Sequence, residues 1–370
     1  MDRMLLIEEK VHRGERLDKA DGLYLLQSDE LLRIGELARF VKRRKSGNKV
    51  FFNVNRHINL TNICVARCKL CAFGRDADAP QAYVMEKENA LAIARQAVQD
   101  SPELTELHIV SALHPDKPFE YYLDILESIH REFPTLHLKA FTAVEIAHFA
   151  KIAGKSIVEI LTTLKDAGLG SLPGGGAEIL NDRVRGILCE KKASAAEWIE
   201  VAQTAHQLGL RSNATMLYGH VETMEERIDH LLTLRALQDE TGGFQSFIPF
   251  PFHPENTGLA ELKRTTAWED LKMLAVGRLM LDNFDHVKAF WIMLTVPIAQ
   301  ISLTFGVDDL DGTVVEEKII HAAGAKTALG ITKPEIVALI QETGNIPVER
   351  DTLYQEMCVY GEGDKACDHG

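Results

Sequence analysis

A chain of 370 residues, 46% hydrophobic and 26% charged, has an ordinary globular balance with room for one large domain or two smaller ones. Its 41 Lys and Arg against 54 Asp and Glu leave a formal charge of −13. That balance argues against nucleic acid as a partner, since phosphate binding needs clustered cations, and means that an anionic ligand must find its cations gathered locally. No apolar run approaches the roughly 20 residues that span a bilayer, and the start MDRMLLIEEKVHRGERLDK is charged too soon for a signal peptide, so the expected location is cytoplasmic.

In chain order, residues 1–49 read as a charged helical cap; SDELLRIGELARFVKRRK opens on a Ser-x-x-Glu-like capping signal and carries apolar residues at helical spacing. From residue 50 short apolar strands alternate with amphipathic stretches. VFFNVNRHINL reads as one strand, followed by a cysteine-rich loop and a helix over about 86–100. Then come the strand ELHIVSA, the helix PFEYYLDILESIHREF and the strand LHLKAFT, with helical stretches up to Gly168. The short SLPGGG leads to the helix AAEWIEVAQTAHQLG, the strand RSNATMLYG, the helix ERIDHLLTLRALQDETG and the strand FQSFIPF. A helix over about 268–283 and the strand HVKAFWIML complete the pattern.

Alternation without hairpin signals implies parallel strands joined by crossovers, and the length of 50–306 suits an α/β fold of (β/α) TIM-barrel type, closed or partly open. Residues 307–370 are expected to be a helical extension packed on the barrel, with a partly disordered tail. An open doubly wound sheet is the second choice, because no GxGxxG turn follows the first strand. On a barrel, the cysteine loop, SLPGGGAE, YGHVE and PFHPENT all fall on the rim at the C-terminal ends of strands, where functional loops gather. Trp198, Trp268 and Trp291 are expected in the core. DLDGTV fits either a turn at the barrel bottom or a loop near the site.

NICVARCKLCAFGR, residues 62–75, places Cys64, Cys68 and Cys71 in a C-x3-C-x2-C spacing, half of the six cysteines in the chain. Cys189, Cys358 and Cys367 are scattered and are expected to be free or surface thiols. Structural zinc is four-coordinate and usually held by two separated pairs, and here there is one triplet with no histidine in the loop. An iron–sulfur cluster takes thiolates, and three of them leave one iron open to a further ligand. Such a centre combined with S-adenosylmethionine carries radical chemistry.

At these residues the loop resembles the radical S-adenosylmethionine superfamily, whose signature is C-x3-C-x2-C with an aromatic residue beside the last cysteine, here Phe73. The likeness extends through LHPDKPFEYY, SLPGGGAEI, SNATMLYGHVET, QDETGGFQSFIPFPFHPENT and DLDGTVVEEKI. These are similar to the group containing aminofutalosine synthases, cyclic dehypoxanthine futalosine synthases and the second half of the deazaflavin-forming synthase. SNATMLYGH and FHPENT lean toward the aminofutalosine synthases, with the cyclase as alternative. That resemblance implies a [4Fe–4S] cluster on Cys64, Cys68 and Cys71, with S-adenosylmethionine consumed as a co-substrate. It also implies a flavodoxin- or ferredoxin-type reductant, and addition of the 5′-deoxyadenosyl radical to 3-[(1-carboxyvinyl)oxy]benzoate on the route to menaquinone.

Carried over residue by residue, the resemblance implies that Ser111 and Ala112, after the second barrel strand, present carbonyls to the methionine amino group. The family often has Gly-Gly there, so the backbone of VSALHP is less free. Glu178 is set to accept from the ribose hydroxyls, and Phe73 to pack near the adenine. The substrate carries two carboxylates and needs cations; Arg56, Arg75, His114, His220 and His253 are the rim candidates.

Overall fold

The computed structural model describes residues 2–314, 318–324, 327, 328 and 330–361. Three helices lead the chain, α1 (Arg3–Arg13), α2 (Lys19–Gln27) and α3 (Leu31–Ser46). Asp2 accepts from Met4 N at the start of α1, and α2 opens on a reciprocal capping box between Asp18 and Asp21. The capping signal expected at Ser28 is not used by α3. Its N-cap is Glu30, which makes no side-chain cap bond, and Ser28 Oγ, two residues too early, accepts from Glu30 N.

The stretch expected to be one strand is two, β1 (Lys49–Asn53) and β2 (Asn55–Asn59), broken at Val54. Alternation then follows as α4 (Lys87–Asp100), β3 (Glu106–Val110), α5 (Phe119–Glu132), β4 (His137–Ala140), α6 (Ala143–Ala153), α7 (Ile157–Asp166) and β5 (Leu169–Leu172). Next are α8 (Asp182–Leu188), a short helix the periodicity did not indicate, α9 (Ala195–Gln207), β6 (Arg211–Tyr218), α10 (Met224–Thr241), β7 (Phe244–Pro251) and α11 (Ala267–Met280). HVKAFWIML keeps only β8 (His286–Val287) as strand. Its apolar end turns into α12 (Trp291–Leu294), followed by α13 (Val296–Ser302), because a short apolar run suits a buried helix as well as a strand.

Seven parallel strands run in the order β2-β3-β4-β5-β6-β7-β8, a curled half-barrel with helices around it. The C-terminal segment, expected to be helical, holds β9 (Asp309–Gly312), α14 (Ile319–Ala322), α15 (Lys333–Gln341), β10 (Ile346–Arg350) and β11 (Glu356–Val359). Its strands form a second sheet, β11-β10-β1-β9, around the N-terminal strand β1. A single bridge from Lys288 to Asp309 ties β9 to the end of β8, so this segment bounds the N-terminal end of the curled sheet. Cys358 sits on β11, buried and disulfide-bonded, not a free surface thiol; Cys367 and the tail from 362 lie outside the described residues.

Trp198 and Trp291 are in the core as expected, whereas Trp268, in the first turn of α11, is 50% exposed. One pattern departs from what such a sheet needs. Parallel strands covered on both faces read as continuous apolar runs, yet Asn55, His57 and Asn59 on β2, Glu106 on β3 and Lys139 on β4 are all buried. Alternation along each strand sends these side chains to the inside of the curl. A polar interior is costly unless it is paired, and its presence marks where the site lies.

Candidate functional site

The loops after β2, β3, β4, β5 and β7 surround a cavity of about 680 Å³ inside the half-barrel. Its mouth is the cysteine loop, which is sewn to its neighbours by main-chain bonds. Val65 N donates to Leu113 O (2.8 Å), Lys69 N to Leu188 O (2.9 Å) and Gly258 N to Lys69 O (2.8 Å). Within the loop Arg75 donates to the carbonyls of Ala72 and Gly74 (2.6 and 3.0 Å), and Arg67 also bonds Gly74 O.

Cys64, Cys68 and Cys71 are free, half-buried thiols that line the cavity. Gly74 N donates to Cys71 Sγ at 3.4 Å, and a side chain at Gly74 would lie 3.3 Å from Cys64 Cβ, so the loop turns back over its own cysteines. Among the described residues no three His, Cys, Asp or Glu side chains converge on a point that one metal ion could occupy. A cubane cluster asks for something else, one thiolate on each of three irons, and three free thiols on one turn at the edge of a roomy cavity fit that donor set. Cys189, expected to be an unrelated thiol, is buried at the end of α8 behind this loop. Its hydrogen bond, together with burial, pushes the Cys68 thiol up.

Ser111 and Ala112, on the loop after β3, line the cavity, as does Phe73 on the cysteine loop itself. Ser111 N donates to Glu145 Oε1 (2.7 Å), and Thr142 caps α6 through the other oxygen of that carboxylate. Glu145 is buried, which raises its carboxyl to about 7 despite these donors. Glu178 also lines the cavity and accepts from Lys192 Nζ at 2.5 Å. Burial alone would raise Glu178, but the Lys192 ammonium outweighs it and holds the carboxylate ionised. The glycines before it are required by contact: at Gly174, φ +85°, an added Cβ would sit 2.0 Å from Asn213 O. Trp198 Nε1, Thr215 Oγ1 and Arg185 donate to the carbonyls of Gly175, Gly174 and Ala177, which fixes this turn against the sheet.

Of the expected substrate cations, Arg75 and His253 line the cavity. His253 Nε2 donates to Met293 O (2.9 Å), which leaves Nδ1 as a buried acceptor with no partner among the described residues. Arg56, His114 and His220 are not among the residues lining it. Arg56 lies one step along β2 from His57, points to the outer face and sits 3.9 Å from Asp100. His114 Nδ1 accepts from Asp116 N and Lys117 N, and His220 is held by Glu222 and the Leu217 carbonyl.

A second set of basic side chains that faces the interior was not singled out from the sequence. His57, His108 and Lys139 share one register row across β2, β3 and β4, and Lys288 follows β8. All four line the cavity with Asp311. DLDGTV therefore belongs to the floor, through β9. A signal was present in the alternating polar residues of NRHIN and the lysine in HLKA, both out of place in a parallel strand.

Two family models match, the radical SAM superfamily over residues 58–234 and the CofH/MqnC C-terminal region over 241–360. Among curated relatives, the chain is 48% identical to the aminodeoxyfutalosine synthase of Thermus thermophilus, over 97% of both chains. It is 44% identical to that of Streptomyces coelicolor, over 97% of this chain and 95% of the relative. It is 38% identical to a 5-amino-6-(D-ribitylamino)uracil–L-tyrosine 4-hydroxyphenyl transferase of Methanothermobacter thermautotrophicus, over 93% and 95%. The crystal structure of methylornithine synthase (PylB) superposes with a TM-score of 0.72 at 18% identity, covering 92% of this chain and 97% of the other, which speaks to fold. Among the described residues no helix is long and apolar enough to cross a membrane.

Proposed function

The chain belongs to the radical S-adenosylmethionine superfamily and is one of its enzymes, and from that premise we propose that it is an aminodeoxyfutalosine synthase. In this reading it transfers the 5′-deoxyadenosyl group of S-adenosylmethionine to the vinyl carbon of 3-[(1-carboxyvinyl)oxy]benzoate. The aryl ring then migrates from the ether oxygen to the adjacent carbon radical, and breaking the bond to the carboxyl carbon closes the ketone and carries off the odd electron with the departing carbon dioxide unit, giving 6-amino-6-deoxyfutalosine. The observation that carries the reading is the 48% identity to the Thermus synthase over 97% of both chains.

Cys64, Cys68 and Cys71 would hold the [4Fe–4S] cluster. Bound there, the cluster would supply one-electron reduction of the sulfonium of S-adenosylmethionine, with the electron coming from a flavodoxin- or ferredoxin-type donor. The chain's own part is positioning. The carbonyls of Ser111 and Ala112 meet the methionine amino group, with the Glu145 carboxylate, which already bonds Ser111 N, close behind. Glu178, kept ionised by Lys192, accepts from the ribose hydroxyls, and Phe73 packs by the adenine. Apolar walls such as Leu217, Ile248, Phe250 and Phe290 keep water from a reactive carbon radical.

The test is mass spectrometry after anaerobic incubation with dithionite, S-adenosylmethionine and the enol ether. A product holding adenine, ribose and the benzoate ring is expected. Free 5′-deoxyadenosine alone would point to the cyclase instead, and no cleavage by protein carrying about four irons would overturn the reading altogether.

A further inference from the structure

The floor of the cavity is a built charge cluster that no part of the cofactor chemistry uses. Lys139 and Lys288 are 3% and 2% exposed. Lys139 Nζ donates to Glu106 Oε2 and Lys288 Nζ to Asp311 Oδ1, each at 2.6 Å, and Lys288 lies 4.0 Å from Asp309. Asp309 is itself held by Arg350 at 2.8 Å. Among the described residues, three cations therefore face three acids here. An ammonium has three donors, and each lysine commits one to its acid, so both retain donors while lining the cavity. His57 and His108 stack beside Lys139 with ring centroids 4.4 Å apart. Burial and the neighbouring ring hold His108 neutral.

We propose that Lys139 and Lys288, flanked by His57 and His108, are the subsite that takes the aryl carboxylate of the substrate. The proposal rests on the synthase reading for the substrate and adds where its far end is held. The reacting vinyl carbon must stay level with the cofactor at the mouth, and the ring carboxylate is the end of the molecule remote from it. His57 stands two residues back from the end of β2, roughly 7 Å deeper at strand rise. The lysines meet the carboxylate by charge-assisted hydrogen bonds, which strengthen where water is excluded. A floor of this kind selects a benzoate over a neutral arene of equal size.

The experiment uses anaerobically reconstituted full-length protein and titrates 3-methoxybenzoate and 3-methoxybenzamide by calorimetry. The acid is expected to bind at least tenfold tighter than the amide. That preference should vanish in Lys139→Gln/Glu106→Gln and in Lys288→Gln/Asp311→Asn, which remove each charge with its partner. KM for the enol ether should rise 10- to 100-fold in both, while iron content holds at about four per chain. A wild-type ratio near one overturns the proposal, even if neither paired variant folds. So do folded variants that keep the preference and the KM. If wild type prefers the acid yet yields no adenosylated product, the synthase reading falls and the carboxylate subsite stands; product formed without acid preference is the reverse.

Discussion

The mouth and the floor of the cavity are made by opposite means. At the mouth one contiguous loop carries three thiols, held in shape by main-chain bonds and two arginines spent on carbonyls of that same loop. At the floor the polar side chains come from separate strands, and the group exists only because parallel register brings His57, His108 and Lys139 into a row. The mouth is a local solution whose half-buried thiols line the cavity without needing partners from distant strands. The floor is a non-local one that survives burial because every charge in it is paired.

Substitutions at the mouth separate the two most sharply. Cys68→Ala should abolish turnover, by more than about a thousandfold, because one missing thiolate loses the cluster, and iron analysis after anaerobic reconstitution checks it. Gly174→Ala should cost roughly 2–4 kcal/mol, since its Cβ would meet Asn213 O at 2.0 Å from a left-handed backbone; thermal unfolding reads this.

A pH experiment addresses the wall between mouth and floor. Glu145 sits at about 7, raised by burial above its ordinary 4.5. A raised folded value means that the protonated form is favoured on folding, so its contribution is complete below about 4.5 and is lost as pH climbs toward 7. Relative to Glu145→Gln, wild type should lose up to about 3 kcal/mol over that window, followed by urea midpoints. Glu178→Gln should raise KM for S-adenosylmethionine roughly tenfold, leaving KM for the enol ether within about twofold, if mouth and floor act on different ligands. The smallest effect belongs to Arg56→Ala. The side chain lies on the outer face of β2, so KM for both substrates should stay within about twofold; a large rise would dissolve the distinction between the two faces of that strand.

Legibility followed the same division. The triplet of cysteines, the Gly-rich turn before Glu178 and the alternation of strands and helices were plain in the sequence because each depends on neighbours a few residues apart. The break at Val54 was not, since β1 leaves the barrel sheet to pair with β9 and β10, more than 250 residues away. Nor was the choice among arginines and histidines as substrate cations, because facing in or out is decided by register and by which partner is already bonded. His220 shows this: it has the right chemistry on the right rim, but Glu222 and a main-chain carbonyl have taken both ring nitrogens.

The sequence by itself determined the cysteine loop, the alternation of strands and helices through the barrel and the superfamily, because spacing along a chain is enough to specify a turn of thiols and an amphipathic period. Only the tertiary structure decided that two buried lysines and two stacked histidines, drawn from four strands or strand ends, share one floor. Their contact is set by how the sheet curls and closes against the C-terminal segment, and charges so far apart in the chain leave no local mark beyond being polar where a parallel strand should be apolar.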